Sequence, residues 1–92
     1  MIAAAPPPPP PPTIVAAVKA VYPRSPVRIV RICRVGRLAF VRLRLRARES
    51  FVAVRSVRRG WRVVWVDGTP RRGTSRTIAA EVGKLRTRCL AP

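Results

Sequence analysis

The chain has 92 residues, and a run of seven prolines at 6–12 leaves roughly seventy for a single small domain. Lys and Arg number 20 against 3 Asp and Glu, a net charge of +17, in a chain that is 48% hydrophobic: apolar enough to fold, and under strong self-repulsion when it does. With no histidine and only Glu49, Asp67 and Glu81 as carboxylates, histidine triads, acid–base pairs and metal clusters lack their components, so the composition points to a non-catalytic protein without metal or cofactor.

The positive charge is carried by 18 arginines and two lysines in a chain also crowded with Ala, Val, Pro and Gly. All of those residues have GC-rich codons, so part of the charge reflects base composition; the field it creates is real whatever its origin. No apolar run approaches the length of about 18 residues that a membrane span needs. Met1 to Ala5 lacks the charged and long apolar regions of a signal peptide, although Ala3, Ala4 and Ala5 look like the small-residue end of one. A start codon assigned downstream of the true one would leave such a pattern.

In chain order, residues 1–12 read as a proline-rich tether. Pro6 to Pro12 have fixed φ and no backbone donors, so they run as polyproline II and project as a stiff spacer. Residues 13–92 form the domain. Thr13 is placed to cap a short helix over 14–21, in which Ile14, Val18 and Val21 share a face, and Pro23 and Pro26 end it. Val27 to Arg34 is the first strand. After a turn at Gly36, Leu38 to Arg46 is the second, with Val41, Leu43 and Leu45 alternating against Arg42, Arg44 and Arg46. Phe51 to Val57 and Trp61 to Val66 follow as a third and fourth strand across short links. Asp67 to Gly73 reads as a loop, after which Thr74 or Ser75 caps a last helix with Ile78, Val82, Leu85 and Cys89 along one face.

These elements predict an α+β fold, a four-stranded antiparallel meander with the C-terminal helix packed on one face and a short N-terminal helix. One sheet face is then dry, and the other presents an arginine field built on Arg42, Arg44 and Arg46 for anions. A weaker anion site is expected before the last helix at Arg71, Arg72 and Arg76.

Three motifs reduce to structural readings. Gly68 to Ser75 follows the spacing of a phosphate-binding loop, but Thr74 stands where the lysine reaching the terminal phosphates belongs, which leaves a turn-rich connector. Gly36 to Leu43 shares Ala39, Phe40 and Val41 with the RNP1 stretch of RNA-recognition motifs, yet Leu38 and Leu43 replace its stacking rings, so Phe40 reads as a strand residue. Trp61, Val63 and Trp65 alternate onto one strand face, either as a stacking platform for single-stranded bases or, as we favour, as core. Cys33 and Cys89 are too far apart for a CxxC motif. They are two buried thiols or, in an oxidising compartment, a disulfide contributing about 4 kcal/mol to a domain with so small a core.

The stretch from Phe51 to Gly68, with its Gly60-Trp61 turn and strand, resembles the terminal hairpin of small exported proteins of GC-rich bacteria whose last strands are NTF2-like. The resemblance implies export and a bridged C-terminus, and no activity. The expected function is therefore that of an exported or envelope-associated protein contacting acidic polymers or an anionic membrane surface nonspecifically. The alternative is a cytoplasmic protein that places the same arginines on nucleic acid.

Overall fold

The computed structural model describes residues 9–90, and the expectation of a projecting tether over residues 1–8 lies outside them. The chain forms α1 (Ile14–Val21), β1 (Arg28–Val35), β2 (Leu38–Arg44), β3 (Glu49–Val57), β4 (Gly60–Val66), β5 (Thr69–Pro70) and α2 (Arg76–Leu90). Thr13 caps α1 as its sequence requires, its Oγ1 accepting from the Ala16 N–H at 3.0 Å. At α2 the cap is Ser75, whose Oγ accepts from the Ile78 N–H at 3.2 Å, while Thr74 donates its hydroxyl to the Val64 carbonyl.

The strands pair in the order β1-β2-β3-β4-β5, antiparallel throughout, so the sheet has five strands where four are expected. The extra one is short. Asp67 and Gly68 both take positive φ, 48° and 84°, which makes a tight reversing turn, and Thr69 and Pro70 then pair with Val66 and Trp65. Pro70 stands opposite Trp65, where an N–H would face away from β4, and one further bond, from the Arg71 N–H to the Val64 carbonyl at 2.9 Å, follows it.

The helices lie on opposite faces, which corrects the expectation of one dry face. Ala17 and Val18 of α1 pack on Ala39, Val41, Leu43, Val52 and Val54. Val82 and Cys89 of α2 pack on Leu38, Phe40, Ala53 and Val64. Both faces of the middle strands are thus buried, in three layers. The explanation lies in Leu38 to Val41, an unbroken apolar run with all four residues buried; strict alternation begins only after it. Cys33 of β1 and Cys89 of α2 are joined by a disulfide, with 5.7 Å between their Cα atoms.

Two bulges decide which side chains share a face. One interrupts the β1–β2 register between Ile29 and Arg31, leaving Val30 as the additional residue. The other lies opposite Ala53 and Val54, where Val64 is additional. The second overturns the expected alignment of the tryptophans: Trp61 and Val63 pack with the α1 cluster, and Trp65 with the α2 cluster.

The proline run does not project over its last residues. The Pro11 carbonyl accepts from the Trp61 N–H at 2.9 Å, and Pro9 to Pro11 wall a groove of about 610 Å³ with Ala17, Ala20 and Val63. Gly60 permits this approach, since a Cβ there would collide with the Pro11 carbonyl oxygen.

Candidate functional site: an arginine face beside the β1 edge

Residues directly opposite one another in an antiparallel ladder lie on the same face, and successive residues alternate. Arg44 is paired with Arg28, and Arg42 with Arg31. Arg42 and Arg44 share the parity of Leu38 and Phe40, so all four arginines stand on the α2 side of the sheet, at the end that α2 does not reach. Three positions separate Arg28 from Arg31, a spacing that would put them on opposite faces of a regular strand. The bulge at Val30 brings them together.

Of the expected field, Arg44 and Arg46 are exposed, while Arg42 is half-buried beside the ring of Phe51, its partner on β3. Arg46 lies past the end of β2, in the turn to β3, but it still lines a shallow depression of about 280 Å³ with Arg28, Arg44, Pro26, Val27 and Leu45. The sequence reading missed Arg28 and Arg31. Their only signal is the break in alternation at Ile29-Val30, two apolar residues in succession between arginines.

Little negative charge balances this face. Among the described residues the one ion pair is Arg48 with Asp67, at 3.1 Å, and it includes none of the four arginines. Glu49 is in register with Arg44 at the margin, and Glu81 is exposed on α2. Like charges directly opposite across a ladder repel, so the unliganded face is electrostatically unfavourable and an anion lying across it relieves both pairs.

Asp67 is held in a structural network. Ser50, the one buried polar residue among those described, donates to Asp67 Oδ1 at 2.6 Å. Its single proton is then used, so the Tyr22 hydroxyl must donate to Ser50 Oγ, at 2.5 Å. The Phe51 N–H donates to Asp67 as well. Burial pushes the Asp67 pKa up, but hydrogen bonds from Ser50, Phe51 and Arg48 and the Arg48 charge together hold it below its ordinary value of 3.8. A carboxylate with a depressed folded-state pKa contributes stability that is complete above the unfolded value and is lost as pH falls through the folded one. Asp67→Asn should therefore cost about 1–2 kcal/mol at neutral pH and flatten the loss of stability below about pH 4, as read by urea melts across that range.

The second expected anion site is brought together only in part. Arg71 and Arg72 line a groove of about 450 Å³ with Arg62 and Thr74, whereas Arg76 opens α2 and does not line it. Two backbone donors of this loop are engaged within the fold, the Arg71 N–H with the Val64 carbonyl and the Thr74 N–H with the Arg71 carbonyl, at 2.9 and 3.1 Å.

Both tryptophans carry a guanidinium over the ring, Arg34 at 5.0 Å from Trp61 and Arg86 at 6.0 Å from Trp65. The faces that a base would stack on are therefore occupied in part. Among the described residues no three His, Cys, Asp or Glu side chains converge, so no donor set for a metal ion is assembled there. No described helix is long and apolar enough to cross a membrane. No protein-family model matches the chain, and neither a curated protein nor a solved structure matches it significantly.

Proposed function

We propose that the protein is a non-catalytic, disulfide-stapled binding domain, exported or associated with the cell envelope, that holds acidic polymers or anionic surfaces against the face formed by Arg28, Arg31, Arg42 and Arg44. The observation that carries this reading is the pairing of those four arginines in two directly opposed couples with no carboxylate between them. A protein that used these arginines for folding would set acids opposite them, and only Arg44 has one, Glu49 across the β2–β3 ladder. The Cys33–Cys89 bond supports the assignment to an oxidising compartment, where such bonds persist.

Recognition on such a face is by charge density alone. Arginine donates to phosphate, sulfate and carboxylate alike, so these four side chains favour density of negative charge over the chemistry that carries it. Binding to duplex DNA of two unrelated sequences, to polyglutamate and to vesicles rich in anionic lipid should follow charge density and weaken steeply as salt rises. The reading is overturned if none of these binds at low salt, or if one DNA sequence is bound far more tightly than the other. The second result would favour a nucleic-acid reader, and thiols that are free in protein recovered from cells would favour the cytoplasm.

A further inference from the structure

Resting on that reading, we propose that the outer edge of β1 takes an extended acidic polypeptide as an additional antiparallel strand, one that alternates acidic and apolar residues. β1 is the terminal strand of the sheet, eight residues long. Val35 and Leu38 flank the two-residue turn at Gly36 and Arg37, and so exchange hydrogen bonds with each other. Alternation then turns the N–H and C=O groups of Ile32 and Arg34 outward, away from β2.

The side chains make this edge unusual. Val30 and Ile32, at 52% and 40% exposure, are two of the three large hydrophobic residues that are exposed among those described, and both lie on β1. A long edge strand with exposed β-branched residues is a template for another chain. Ile32 is paired with Val41 and so faces the α1 side, whereas Arg28 and Arg31, with Arg44 and Arg42 behind them, face the α2 side. A strand added here meets Ile32, with Arg34 two residues further on, on one face and the paired arginines on the other.

Charge selects among the possible occupants. A second copy of this chain would bring another +17 to the same edge and is repelled. Nucleic acid and lipid head groups satisfy the arginines but have no peptide N–H and C=O array to match the outward groups of Ile32 and Arg34. An acidic, alternating polypeptide satisfies both.

The register makes the test specific. A partner residue opposite Ile32 or Arg34 lies on the α1 face and turns its N–H toward β1, while its neighbours, opposite Arg31, turn theirs away. In a capped peptide alternating glutamate and valine, the valines therefore donate to β1 and the glutamates do not. N-methylation of the valine nitrogens should weaken binding on the order of tenfold or more, and N-methylation of the glutamate nitrogens should leave it nearly unchanged. The Ile32 and Arg34 amides should gain protection from hydrogen exchange with the unmodified peptide.

Equal binding of all three peptides, with exchange at Ile32 and Arg34 unchanged, would overturn strand addition. In that case DNA and polyglutamate binding with the full salt dependence would leave the arginine face standing. If no polyanion binds the protein at all, the failure lies in the functional reading instead.

Discussion

Replacing Cys33 with alanine is expected to lower the stability of the domain by about 4 kcal/mol, Cys89→Ala by the same amount, and the double variant by no more than either alone. The bond closes a loop of 56 residues, and opening it returns that loop's conformational freedom to the unfolded chain. The native state is weakened as well, because α2 is held by few residues: Val82 and Cys89 are buried, while Ile78 and Leu85 are only partly so. Alanine is chosen so that no hydroxyl is left in the apolar position of Cys89. A domain of this size has on the order of 5 kcal/mol to lose, so reduction of the wild type should leave it close to unfolding. Urea melts with and without reductant test this; an unchanged midpoint on reduction, or losses that add in the double variant, would contradict it.

Phe40→Ala should cost a comparable amount, about 3–5 kcal/mol. Phe40 is fully buried under α2, its ring centroid 5.8 Å from that of Phe51, and it is paired with Cys33 on the neighbouring strand. Its loss opens a cavity at the middle of the α2 cluster, where the disulfide restrains collapse, so Phe40→Ala and Cys33→Ala should couple. Trp61→Ala and Trp65→Ala should each cost less, since both rings are only half-buried, and their effects should add to within about 0.5 kcal/mol because the sheet separates them. Strong coupling between the tryptophans would mean that they share one cluster, which is what a β4 without its bulge would give.

Elements set by local chemistry were legible in the residues. Thr13 followed by an apolar stripe and ended by Pro23 gives α1, and strands punctuated by Gly36 and by Arg58-Arg59-Gly60 give sequential hairpins. What escaped is what local chemistry does not encode. A bulge carries no residue signature of its own, yet Val30 and Val64 reverse the facing of everything beyond them, and so hid Arg28 and Arg31 and misassigned Trp65. The continuous apolar run Leu38 to Val41 signals burial on both faces, but the clean alternation from Val41 onward outweighs it in a reading by period. Asp67-Gly68 is a strong hairpin signal that Pro70 made look like the start of a loop. The approach of Pro11 to Trp61 is a tertiary contact, foreshadowed only by a glycine at 60.

The central claim is that the position of the arginines, and not the total charge, makes the anion site. The most direct measurement titrates duplex DNA, as a polyanion of known charge density, against two variants of equal net charge over a range of salt concentrations. In one, Arg28, Arg31, Arg42 and Arg44 become glutamine; in the other, the exposed Arg24, Arg58, Arg59 and Arg76 do. The account predicts that the first variant's slope of log affinity against log salt falls by about 3–4, with affinity largely lost, and that the second stays close to wild type. Equal losses in the two variants would show that DNA responds to the charge of the whole protein and that the face is no site.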